Sequence, residues 1–266
     1  MHHNQLPRVA TAILTLFFGL ALFAPLPFVV IKPGNAQDVL DKVITPSKTA
    51  PASMKFYKPD GSIYLLTILI SSPKAYVTGA ELIYSWGRSD FSVMPRSLFY
   101  QDGVSAEVEK EIAKTEMVDS QLTAKVAALN YLKTSYPNLT SSEIKPSDIA
   151  ISLAQTGGPS GGLAFALGIV ELLTPENILA GRSVASTGTI DAEGNVGGIG
   201  GVAEKVLAAH KSGATLILVP SGNCQDLAPG VAKIPANIKV AAVSTLQEAI
   251  TALNSAAPRS CANLGA

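Results

Sequence analysis

Histidine is almost missing from this chain of 266 residues. Only His2, His3 and His210 occur, and the first two stand at the extreme N-terminus. A catalytic arrangement that needs an imidazole therefore has one candidate base, His210. Cysteine is as scarce. Cys224 and Cys261 are too few for a zinc site, and nothing nearby has zinc-ligand spacing. In an oxidising compartment they could pair and tie the C-terminal tail to the body; otherwise they stay free thiols. No G-x-x-x-x-G-K-[ST] occurs, so this chain carries no phosphate loop of that kind. Neither sign of charge is in excess: Lys+Arg and Asp+Glu number 20 each. That balance gives no basic face for nucleic acid and no acidic surplus for a charged partner. Repeats and low-complexity tracts are absent too. The length still allows one or two domains with a sizeable core.

What is present begins with an apolar run. Val9 to Ile31 carries no charge over 23 residues. As a helix it would cross a hydrocarbon core of about 30 Å. A cleaved signal peptide would have a shorter apolar region and a small-residue cleavage site. Ala21-Leu22-Phe23-Ala24 is a poor one, because Pro25 follows it. The run thus reads as a retained transmembrane anchor (9–31) behind a cytoplasmic tail (1–8), with Pro25 and Pro27 kinking its outer end. The rest of the chain would then lie outside the cytoplasm, attached to the cell membrane by one pass.

Residues 32–60 are polar and proline-dotted and read as a stalk. Ser62 to Ser71 is a buried-strand pattern, Ala75 to Trp86 a second strand, and Phe91 to Gly103 irregular. A long helix starts at Ser105, with Glu107, Glu109 and Glu111 at its positive end. Val108, Ile112, Thr115, Val118, Leu122, Val126 and Leu129 recur at three- and four-residue steps and mark its expected buried face. Thr134 to Pro146 is loop-like. Residues 61–147 would pack these strands and this helix on the part that follows.

From Asp148 the pattern alternates. A short strand (149–153) leads into the turn Gly157-Gly158-Pro159-Ser160-Gly161-Gly162, followed by a nearly all-apolar helix to Thr174. Arg182–Ile190 and Val196–Ile199 flank a hairpin-type turn at Asp191-Ala192-Glu193-Gly194-Asn195. A helix over Val202–Ser212, strands at 215–219 and 238–243, and a helix over 244–253 complete an α/β (α+β) domain of residues 148–256. Residues 257–266 form a tail.

Ser160 stands out chemically. Pro159 suits the first turn of a helix, so Ser160 meets unpaired backbone N–H groups and the positive end of the helix dipole. That environment can hold an oxyanion. His210 reads as a core histidine on the apolar stripe of its helix with Val202, Ala203 and Val206. A lysine can serve as base instead, if burial keeps it neutral. Lys205 sits at the edge of the same stripe, after the small-residue run Gly197-Gly198-Ile199-Gly200-Gly201, about 140° round the helix from His210.

Three ordered motifs then carry a resemblance. Gly158-Pro159-Ser160-Gly161-Gly162, Thr187-Gly188-Thr189-Ile190, and Val196 through His210 resemble the proteolytic domain of Lon proteases. Leu216-Ile217-Leu218-Val219-Pro220 and Asn223 continue it, over roughly Ile149 to Leu253. The resemblance implies a Lon proteolytic-domain-like fold, Ser160 as nucleophile, Lys205 as general base and Thr187 as the residue that orients the lysine. It implies a serine endopeptidase acting on proteins, and assembly into a homo-oligomeric ring, commonly a hexamer; with no phosphate loop in this chain, the expected reaction uses no cofactor and no ATP. Ser160 N–H and one N–H from the Gly157-Gly158 turn would hold the oxyanion, with Pro159 and Gly161 shaping the turn. The order of anchor, helix and catalytic domain is similar to bacterial membrane-anchored Lon-like proteins of the PDZ-containing type. Here only the linker from Thr134 to Asp148 stands where the PDZ domain would be.

Two other functions fit parts of the sequence. A catalytically silent Lon-like domain could bind or organise envelope partners. Gly198-x-Gly200-x-x-Ala203 superficially matches a dinucleotide fingerprint, but its strand is short and hairpin-linked.

Overall fold

The first helix stops at Phe23. In a computed structural model of the chain, which describes residues 7–101, 103–137, 144–153, 156–228, 232 and 234–261, α1 spans Arg8–Phe23. Pro25 and Pro27 lack the N–H groups a continuing helix needs, and proline sets the residue before it extended. The expected 23-residue helix is therefore corrected to 16 residues, about 24 Å. Among the described residues no helix is long and apolar enough to cross a membrane. Residues 1–6 of the expected tail with His2 and His3, the middle of the expected linker (138–143), and residues 262–266 lie outside the described residues.

In chain order there follow β1 (Pro25–Leu26), β2 (Phe28–Asp38), β3 (Ile44–Pro46), β4 (Ser62–Ile70), β5 (Val77–Thr78), α2 (Gly79–Trp86) and β6 (Ser92–Pro95). Then come α3 (Ala106–Ser135), β7 (Ile149–Ile151), α4 (Gly162–Leu173), β8 (Ser183–Ser186), β9 (Thr189–Ile190) and β10 (Val196–Gly197). The chain ends with α5 (Val202–Lys211), β11 (Leu216–Pro220), β12 (Lys239–Val243) and α6 (Leu246–Leu253). Two compact units divide these elements: residues 1–32 with 69–106, and residues 33–68 with 107–266.

In the first unit β1 pairs antiparallel with β5, and β6 pairs with the opening residues of β2. Its core is small: Val30, Val77 and Leu82, with Leu26, Phe28, Phe91 and Val93 against them. The strand expected over 75–86 is mostly helix α2. Thr78 accepts the Glu81 N–H at 3.3 Å and caps it, so the chain turns helical after two strand residues. The segment expected to be irregular holds β6 and a 3₁₀ turn over Arg96–Leu98.

The second unit is built on a sheet in the order β12-β11-β8-β4-β2, in which β12, β11, β8 and β4 run parallel. Alternation along the strands feeds two cores. Val184, Leu218, Ala241 and Val243 face α3, α4 and α6, while Ala185, Ile217 and Val219 face α5. Helices thus cover both faces, as a parallel sheet requires. The expected stalk is no stalk: residues up to Asp38 continue β2, Ile44 pairs with Ile151, and Val39, Val43 and Ile44 are buried in the larger core. Their hydrophobic side chains, isolated among polar residues, gave too little periodicity to read as strands.

The face expected to bury α3 is also reversed over its first half. Met117, Ser120, Ala124, Ala127 and Ala128 are buried, whereas Val108, Ile112, Val118 and Leu122 are exposed. Small residues let α3 approach the loop before α4 closely, and that packing overrides the larger apolar stripe.

Cys224 and Cys261 are bonded, with Cα atoms 5.0 Å apart and a sequence separation of 37. The same C-terminal segment hydrogen-bonds to β12, Ala242 N–H to Arg259 C=O at 2.8 Å, and so covers an edge of the sheet. Cys224→Ser with Cys261→Ser is expected to lower stability by about 2–4 kcal/mol, read as a lower denaturant midpoint.

Candidate active site

The turn before α4 is held from two sides. Gly158 adopts φ 85°, a conformation that favours glycine, and Pro159–Gly161 form a 3₁₀ turn that runs into α4. From α3, Ala113 C=O accepts the Gly158 N–H at 2.8 Å, and Ser120 Oγ donates to Pro159 C=O at 2.8 Å. From the segment after β8, Gly188 N–H and Thr187 Oγ donate to Ser160 C=O at 2.9 and 3.2 Å. These bonds fix the Ser160 backbone before any substrate arrives.

Glycine is required here by contact. A Cβ on Gly161 would stand 2.6 Å from Leu65 Cδ1, one on Gly157 2.8 Å from Ala113 Cβ, and one on Gly162 3.1 Å from Ile190 N. Nearby atoms would have to shift to admit any larger residue.

Lys205 reaches this turn from α5, on the opposite face of the sheet. Its Nζ lies 2.8 Å from Ser160 Oγ. The side chain is buried, with the residue 2% exposed, while Ser160 is half-buried. Desolvation disfavours the ammonium and pushes its pKa down from 10.5 to about 8; the neighbouring Glu204 carboxylate works against that shift. A lysine poised near 8 gives up its charge far more readily than a surface one.

The lead-in to α5 is clamped by one side chain. Asn223 Oδ1 accepts Ile199 N–H at 2.9 Å, and its Nδ2 donates to Ile199 C=O at 2.9 Å and to Asp226 Oδ2 at 2.8 Å. Gly201 then enters the helix in the left-handed region, φ 66°. Cys224 follows Asn223 directly, so the disulfide anchors the turn that carries the clamp. Asn223→Ala is expected to cut kcat about 10- to 100-fold with little change in KM, since it loosens the position of Lys205 and not a substrate contact. Steady-state kinetics on a peptide substrate would check this.

The structure brings Ser160, Lys205 and Thr187 together and alters three expectations. The Thr187 hydroxyl, completely buried, donates to the Ser160 carbonyl, so it holds the serine's backbone where the lysine was expected as its partner. Gly158 N–H is already bonded to Ala113, which removes it as an oxyanion donor. His210 is half-buried near the end of α5, less enclosed than the core position expected for it. Ala113, Ser120 and the geometry of Asn223 were missed. Ser120 and Ala113 carry no local signal, since only the fold places α3 against the turn.

A profile of the Lon protease (S16) C-terminal proteolytic domain matches residues 104–255, more than half of the chain. The chain therefore belongs to the Lon protease (S16) proteolytic-domain family. It is similar to a Lon protease of Haemophilus influenzae, 38% identical over 93 residues, which covers 35% of this chain and 11% of that protein. A Lon protease of Rickettsia typhi is 40% identical over 93 residues, with 35% and 12% covered. A peroxisomal Lon protease homolog 2 of Oryza sativa subsp. indica is 26% identical over 216 residues, with 80% and 23% covered. The chain thus spans between a tenth and a quarter of the length of these relatives.

Proposed function

We propose that the chain is a serine endopeptidase in which Ser160 is the nucleophile and Lys205 the general base. The observation that carries this reading is the 2.8 Å separation between Ser160 Oγ and a buried Lys205 Nζ whose pKa is pushed down to about 8. Neutral Lys205 takes the Ser160 proton as Oγ attacks a peptide carbonyl, then passes that proton to the leaving amine. The same lysine next accepts a proton from water, which attacks the acyl-enzyme ester and frees Ser160. Ser160 N–H, in a first helical turn with no intrahelical acceptor, faces the developing oxyanion and contributes about 3 kcal/mol. Unfolded protein or peptide is the substrate, and no step calls for a cofactor or ATP.

We further infer that the protein assembles with copies of itself into a ring and is attached to a membrane by α1. Family resemblance alone supports the ring. The membrane reading rests on α1, which carries no charge after Arg8, whose Thr15 hydroxyl donates to the Thr11 carbonyl of the same helix, and which has no buried residue. A helix apolar on all sides needs an apolar surrounding. The Cys224–Cys261 bond supports a catalytic unit outside the cytoplasm, where disulfides persist.

The test uses the full chain and an unstructured protein substrate. Wild type should cleave it, and Ser160→Ala and Lys205→Ala should each abolish cleavage. Cleavage that survives both changes overturns the proposal; a folded wild type without activity would favour a binding role for the same domain.

A further inference from the structure

The first unit exposes far more apolar surface than its small core explains. Beyond α1, Tyr76, Ile83, Tyr84, Trp86 and Leu98 are each more than half exposed. Three of them lie in α2, whose other side buries Leu82 and Ser85. So α2 turns an apolar, aromatic face outward.

The position of α2 explains that face. Its first residue, Gly79, packs so closely on the last turn of α1 that a Cβ would overlap the Ala21 carbonyl oxygen. The chain leaving α1 is then locked to the chain entering α2 through the pairs Pro25↔Thr78 and Leu26↔Val77. Tryptophan and tyrosine favour the membrane–water interface, because each has an apolar ring and a polar edge. Charge agrees: beyond α1, among the described residues of the unit, Lys32, Lys74, Arg88 and Arg96 outweigh Glu81 and Asp90. Anionic headgroups attract such a surplus by about 1 kcal/mol per basic group near the surface.

We infer that the exposed face of α2, with Tyr76, Ile83, Tyr84 and Trp86, lies in the headgroup layer of an anionic membrane beside the exit of α1. This rests on the membrane attachment of α1 proposed above. α2 acts as an interfacial foot that fixes the depth of the first unit, where α1 alone would leave it free to slide or tilt. A helix of 16 residues is short for a bilayer, so a second, interfacial contact adds what α1 lacks.

Trp86 is the only tryptophan in the chain, so its fluorescence reports on this face alone. The experiment reconstitutes the full chain into vesicles of phosphatidylcholine and phosphatidylglycerol, separates them by flotation and measures Trp86 quenching. Lipids brominated near the glycerol level should quench strongly, lipids brominated at the chain end weakly, and aqueous iodide hardly at all. Ile83→Ser with Tyr84→Ser should still float through α1 but lose the shallow quenching and regain iodide sensitivity. Flotation with Trp86 open to iodide and untouched by bromolipid overturns the placement of α2 and leaves the α1 attachment standing. Absence of flotation overturns both.

Discussion

Replacing Lys205 with methionine is expected to raise the unfolding temperature and to abolish peptide hydrolysis in the same variant. Lys205 is 2% exposed, and no carboxylate hydrogen-bonds its Nζ among the described residues. Burial lowers its pKa from 10.5 to about 8, which corresponds to about 3 kcal/mol by which the fold disfavours the cation. The sign follows from proton binding. Between pH 8 and 10.5 the unfolded chain holds the proton and the folded one releases it, so stability rises with pH across that window. Below it the whole cost is present, at neutral pH included. Methionine has a similar length and no charge, and so removes the cost without leaving a large cavity. Ser160 Oγ loses its partner, which returns about 1 kcal/mol. A net gain of roughly 1–3 kcal/mol at pH 7 is expected, a rise of several degrees in Tm. Hydrolysis should fall at least about 10⁴-fold, the scale seen when a nucleophile loses its base. A Tm that falls would place Lys205 in a stabilising ion pair instead.

The second expectation concerns pH. If Lys205 must be neutral to act, kcat/KM rises as the proton leaves, about 50-fold between pH 6 and pH 8, and levels off above. Because Glu204 favours the charged lysine, Glu204→Gln should move the inflection to lower pH. A profile flat across this range, measured on a substrate without titratable groups, would remove Lys205 as the base.

Sequence carried the second half of the chain better than the first, for a physical reason. From Asp148 onward each element has its own signal: alternating strands, an apolar helix, glycine at the turns. Ser160 and Lys205 could be named because each lies in such a local pattern. The first half depends on tertiary context. β2 continues past Pro33 and Gly34 because β4 offers it partners, with Asn35 N–H bonded to Thr67 Oγ1 at 2.9 Å. The α3 stripe misled because Ala113, Ser120 and Ala124 are small, and smallness at a close packing site leaves no hydrophobic period to read. Thr187 was assigned to the lysine, but which acceptor a hydroxyl chooses is decided by ångström-scale placement. α1 is shorter than its apolar run because Pro25 and Pro27 stop the helix that apolar composition alone would carry to Ile31.

Acylation of Ser160 tests the dyad most directly. Wild-type protein mixed with an activated ester, quenched after one turnover and mapped by mass spectrometry, should carry the acyl group on Ser160, with a formation rate that rises to a plateau through about pH 8; Lys205→Met should form almost none. An adduct on another residue, or one that forms on Ser160 equally fast without Lys205, would contradict the pairing.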